Sequence, residues 1–222
     1  MSYNPGQQTK KTARVRSLFV AALVFACAFG TVTNAVAQKV TPPTTPARIT
    51  PQAGNVAFAV GHAQGTQGYI CLPASTGGTS WTSLSARPEA TLFTKFFGQD
   101  VQIITHFLSP DNSTNHVARA TWQSSFDTSK VWAARVDGIP AGSDPASCPN
   151  TGAIDCLLLG AAGAQSGPTG GKLLTKTTFI QRLNTKGGSA PVDNAGCTAS
   201  TDVGHQLLVP YSADYFFYRR AE

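Results

Sequence analysis

Apolar residues in this chain recur at every second position in short runs, and Gly- or Pro-rich stretches break each run before it lengthens. That pattern excludes a helical bundle and calls for strands. In NVAFAVGHAQGTQGYICL, Val56, Phe58 and Val60 alternate, and Tyr69 and Cys71 resume the alternation beyond a Gly-rich interval. The reading there is a hairpin-like pair of strands. VQIITHFL, from Val101 to Leu108, is β-branched enough for a strand buried on both faces, and Pro110-Asp111-Asn112 ends it. HVARATWQ and KVWAARVDG predict neighbouring strands that set Trp122 and Trp132 in or against the core. KLLTKTTFIQRLNT predicts a long β segment, and QLLVPYSADYFFYRR, interrupted by Pro210, predicts two strands or one bent strand. Glu89 to Phe97 suits a helical turn or a strand. No βα unit repeats, so the fold expected is all-β, an antiparallel β-sandwich or barrel in a single domain.

The amino terminus has the composition of an export signal. Lys10, Lys11, Arg14 and Arg16 precede an apolar run from Leu18 to Gly30, and Ala35-Val36-Ala37 offers small residues for cleavage. The expected organisation is a signal peptide over 1–37, a Pro/Thr-rich extended lead-in over 38–52, and one β domain over 53–222. The mature chain would be secreted or periplasmic, with no integral membrane span. An uncleaved anchor and a lipid-modified Cys27 are the alternatives. The formal charge of the whole chain is +6, but the leader carries four of the 17 basic residues and none of the 11 acidic ones. What remains is nearly neutral and gives no footprint for nucleic acid.

Cysteine usage fits an oxidising compartment, because Cys71, Cys148, Cys156 and Cys197 remain as an even set after the leader is removed. Three pairings are open to them. The turn at Pro149, Asn150 and Gly152 favours Cys148 with Cys156, and hence Cys71 with Cys197. On a chain-entropy basis the short loop would contribute roughly 2.5 kcal/mol and the long one about 5 kcal/mol.

Most familiar chemistries lack their residues. There is no GxxxxGK[ST], no GxGxxG between a strand and a helix, no GxSxG, no HxH or HExxH and no CxxC. No cofactor and no metal site are therefore expected. Aspartates fall mostly in turn contexts, and Asp155 is the exception, between Ile154 and Cys156. The candidates that remain are side chains suited to stacking and polar capture: His106, Trp122, Arg182, Tyr211 and Tyr215. Asn112-Ser113-Thr114 also forms a glycosylation acceptor for a eukaryotic chain.

QGYICL, ITHF, TWQ, IDCLLLGA, FIQRLNTKGGSAP…GC and VPYSADYFFY follow one another in the order seen in the domain of unknown function 3455 family, secreted bacterial and fungal proteins. The resemblance spans about 56–218, and RLNTKGGSAP with the aromatic end is its specific part. It implies compartment and placement, with no assigned activity, ligand or catalytic residue. A malate-dehydrogenase label carried by some fungal members does not transfer, because this chain has no nucleotide-binding turn. Cys71 and Cys197 stand at family cysteine positions, which supports their pairing. Cys156 replaces a tryptophan usual in the family, which marks Cys148–Cys156 as a local addition.

The functional expectation is a non-catalytic, disulfide-stapled β domain that binds a surface component or a small apolar or sugar-like ligand. The alternative is a hydrolase or lyase using His106 for proton transfer, Arg182 for an anionic group, and Asp155.

Overall fold

The computed structural model describes residues 40–83, 87–114 and 116–222; the expected signal peptide lies outside them. Among the described residues nine strands form one antiparallel sheet: β1 (Asn55–Pro73), β2 (Thr79–Thr82), β3 (Pro88–Phe96), β4 (Gln99–Pro110), β5 (Ala118–Ser124), β6 (Lys130–Ile139), β7 (Cys156–Gln165), β8 (Phe179–Gly187) and β9 (Gln206–Arg220). β2 and β3 pair with successive parts of one side of β1, at Ile70–Pro73 and His62–Gln67. From β3 onward each strand pairs with the next, and β9 returns to pair with β1 from Asn55 to Ile70. The sheet therefore closes into an up-and-down barrel rather than splitting into a sandwich. Closure covers strand edges that would otherwise remain unpaired. No helix among the described residues is long and apolar enough to cross a membrane.

The glycines of the first apolar stretch make a continuous strand where the sequence suggested a hairpin. Gly61, Gly65 and Gly68 all lie inside β1, and none has a positive φ. Their role is close approach to β3. A Cβ on Gly65 would overlap the carbonyl oxygen of Glu89 and stand 2.6 Å from the Cα of Ala90. A Cβ on Gly61 would come within 2.9 Å of the Leu92 Cβ. Here glycine marks a place where two backbones converge rather than a reversal of the chain.

Other boundaries shift for comparable reasons. Glu89 to Phe96 is strand, because it bridges β1 and β4. β4 buries one face through Ile104 and His106, whereas Ile103, Thr105 and Phe107 are half-buried, so it is not covered on both sides. Residues 172–178 lie outside any strand, with a turn over 173–176 from which Leu174 drops into the core. β9 runs unbroken through Pro210, which pairs with Thr66. β8 is last paired at Gly187 opposite Tyr211, so Pro210 stands beyond it and removes no donor needed on that side.

Two apolar layers hold the ring. Inside it, Leu92, Ile104, Trp122, Val131, Ile180, Tyr215 and Phe217 meet, with Ile154 and Leu174 entering from opposite ends. Outside it, Ile49, Ile139, Leu158, Leu183, Phe216 and Tyr218 gather around the Cys148–Cys156 bridge. β9 is aromatic on both faces because both faces are covered. The 40–52 segment is accordingly packed rather than a free tether: Ile49 is fully buried, Gln181 donates to its carbonyl at 2.5 Å, and Arg48 pairs with Asp137 at 2.6 Å. Cys71–Cys197 fastens the end of β1 to the β8–β9 connection with a Cα separation of 5.5 Å. Cys148–Cys156, at 6.0 Å, closes the β6–β7 connection.

Candidate functional site in the barrel interior

Eight strands around a ring leave an interior that side chains can nearly fill. Here the filling is uneven. Ala63, Ala90, Ala133 and Ala213 face inward from β1, β3, β6 and β9, and their small size makes room for Trp122, Tyr211, Tyr215 and Phe217. Alternation along β4 turns His106 inward with Ile104, and cross-strand register sets it directly opposite Trp122 of β5. The two rings stack, with centroids 4.2 Å apart and planes 7° apart. Tyr215 reaches them from β9, its ring 5.4 Å from His106 and 5.7 Å from Trp122. Its hydroxyl lies 3.1 Å from that of Tyr211, so one of the two donates to the other.

Arg182 stands opposite Tyr215 in the β8–β9 register and on the same face of β8 as Ile180. Its Nε and Nη2 donate to the carbonyl of Asp155 at 3.1 and 2.9 Å. The guanidinium is thus moored beneath the β6–β7 connection, at one end of the barrel. All five candidate residues consequently border one end of one interior.

The polar groups there are incompletely matched. The Nδ1–H of His106 donates to the Thr121 carbonyl at 2.9 Å, which leaves the Nε2 lone pair facing the interior. Burial, opposed by that hydrogen bond and assisted by the Arg182 charge, lowers the imidazole to about 4. The ring is therefore neutral at physiological pH. Beside it, Trp122 Nε1 is buried with no hydrogen-bond partner among the described residues. Burial, the adjoining Tyr215 and its hydrogen bond push the Tyr211 phenol well above the usual tyrosine range. This is an uncharged, aromatic end with a donor and an acceptor to spare and one cation at its margin.

His106, Arg182 and Asp155 do not form a relay. Arg182 engages the backbone of Asp155, whose carboxylate turns away to Arg135 at 3.8 Å and is about half exposed. Among the described residues no group of three or more His, Cys, Asp or Glu side chains is placed to hold a metal ion. Trp132 is buried on the outer face of β6, its Nε1 donating to Ser109 Oγ at 3.0 Å. Trp81 donates to the Ala195 carbonyl at 3.1 Å.

One cluster escaped the sequence reading. His62, Asp214 and Asn184 meet on the outer wall, where β1, β9 and β8 run side by side. Asp214 was the available signal, a carboxylate set within the aromatic run of β9.

Fold and site together define a closed, disulfide-stapled antiparallel β-barrel with an aromatic interior. The chain belongs to the family described as Protein of unknown function (DUF3455), which it matches over residues 51–219. No curated protein and no solved structure matches it.

Proposed function

We propose that the protein is an exported binding barrel that takes a small ligand into the end of its interior bordered by His106, Trp122, Tyr211, Tyr215 and Arg182. The observation that carries this reading is the pairing of a buried, unpartnered indole N–H with the free imidazole acceptor stacked against it. A buried donor without a partner forfeits roughly 1–3 kcal/mol, and a ligand carrying its own acceptor recovers it. The aromatic walls select a flat or apolar body, and the cation at the margin favours a carbonyl or anionic group at one end. Neutral His106 and the raised phenol of Tyr211 suit hydrogen bonding better than proton transfer near neutral pH. Export is supported by the two disulfides and by the basic-apolar-small pattern of residues 1–37.

Native mass spectrometry of protein purified from its own organism, followed by release and identification of retained small molecules, tests the binding role. Wild-type protein is expected to carry a stoichiometric adduct. Trp122→Phe, which keeps the ring and removes the N–H, is expected to lose about tenfold in affinity for it. An empty wild-type protein, or equal affinity in Trp122→Phe, would count against the reading. Amino-terminal sequencing of the same material is expected to begin at Gln38.

A further inference from the structure

A second site lies on the outside of the barrel wall, independent of the interior. Residues His62 of β1 and Asp214 of β9 are directly opposite in the register, and Asp214 Oδ1 lies 2.6 Å from His62 Nδ1. The other carboxylate oxygen accepts from Asn184 Nδ2 at 2.8 Å. Both oxygens are engaged, so the carboxylate is fixed, and it holds the imidazole proton on Nδ1. That leaves Nε2 as the available base on a ring that is largely exposed.

The local backbone is shaped to complete this arrangement. Asn184 has φ 53°, a left-handed conformation uncommon outside glycine, and its N–H donates to the Ser147 carbonyl at 2.8 Å. The β8–β9 register shifts between Leu183 and Lys186, and this irregularity turns the Asn184 amide toward Asp214. Bulges that re-aim a side chain are concentrated beside active sites. The dyad borders an open cleft of about 530 Å³ between the wall and the β6–β7 connection, also lined by Gln64, Asn150 and Lys186. Among the described residues Lys186 has no carboxylate within ion-pair distance, whereas Asn150 is anchored through its Nδ2 to the Thr185 carbonyl at 2.9 Å.

We propose that this cleft is a hydrolytic site for small carboxylic esters that carry a second, free carboxylate. Lys186 pairs with the free carboxylate. His62 Nε2 takes a proton from a water molecule as the water oxygen bonds to the ester carbonyl carbon, whose π electrons move onto oxygen. Those electrons return as the bond to the alcohol oxygen breaks, and the departing alkoxide takes the proton from His62. The products are an acid and an alcohol, and His62 is restored. Asp214 orients the imidazole and offsets its transient charge, the role a carboxylate plays beside a basic histidine elsewhere. Asn184 is a positioning residue.

The test uses the mature chain with p-nitrophenyl hemisuccinate as the anionic probe and p-nitrophenyl acetate as the neutral one. Wild-type protein is expected to hydrolyse the hemisuccinate above the buffer rate, and His62→Gln to lower kcat by about 10²-fold. Lys186→Met is expected to raise KM for the hemisuccinate several-fold more than for the acetate. A wild-type rate equal to buffer, or full activity in His62→Gln, overturns the proposal. A chemical readout stands beside it: diethyl pyrocarbonate should modify His62 in the wild type and do so several-fold more slowly in Asp214→Asn with an unchanged melting curve. Equal modification rates would refute the assigned role of Asp214. None of these readouts depends on the adduct that native mass spectrometry detects, so failure here and failure of interior binding are separable.

Discussion

His106 links burial to chemistry and to stability. Its folded value of about 4 lies below the ordinary imidazole value near 6.5, so the unfolded chain binds the extra proton over that interval. The stabilising contribution of neutral His106 is present above pH 6.5 and is lost as pH falls toward 4, by about 3 kcal/mol in total. Thermal melts between pH 7 and 4 should show this decline, and His106→Phe should flatten it whatever its effect on absolute stability. Asp127 acts in a separate window. Partial burial raises its carboxyl, but the N–H groups of Leu173 and Ser129 and the hydroxyls of Ser129 and Ser124 outweigh that and hold it at about 2. Its contribution is present above the usual aspartate value near 3.9 and disappears as pH falls toward 2. Asp127→Asn should therefore lower the melting temperature above about pH 4, with the gap to wild type closing as pH falls toward 2. At this scale the sequence showed the residue types and not their neighbours. His106, Trp122, Arg182 and Tyr215 are legible as a histidine and an arginine in apolar strands beside aromatics. That they border one interior depends on the β4–β5 and β8–β9 registers, which no local pattern reports.

Among the elements, β1 shows most clearly where local reading stops. Its period of two was visible, yet three glycines made nineteen residues look like two strands. Glycine permits both a turn and a close backbone approach, and only the position of β3 decides between them. Gly65→Ala tests the distinction. The added methyl meets the backbone of Glu89 and Ala90, which cannot rotate away as a side-chain tip would. Equilibrium denaturation should show a loss of about 3 kcal/mol or more. Gly77→Ala is the control: open space surrounds it, and only its φ of 89° opposes a side chain, so the expected loss is about 1 kcal/mol. β9 was legible in the opposite sense. Its aromatic content was legible as strand, but Pro210 suggested a break. The strand continues because β8 has already ended at that level.

For the whole molecule, the two disulfides constrain the unfolded chain to different extents. Replacing both members of the Cys71–Cys197 pair by Ser opens a span of 126 residues. The chain-entropy cost is about 5 kcal/mol, a melting shift of roughly 10–20 °C. The same change at Cys148 and Cys156, eight residues apart, should cost roughly half as much. Calorimetry of the two double variants checks the order, and a larger shift for the short loop would contradict it. The all-β class and both favoured pairings were legible from apolar spacing, turn residues and the family-like cysteine positions. Closure was not, since a sandwich and a barrel are built from the same alternating runs and differ only in whether the last strand finds the first. The order of synthesis gives that closure a further meaning. The longest partner of β1 is β9, the last strand of the ring in chain order, so a growing chain cannot seal its ring until β9 has been made. A nascent chain that still lacks β9 leaves the facing edges of β1 and β8 open, and an open strand edge is a template for pairing with another chain.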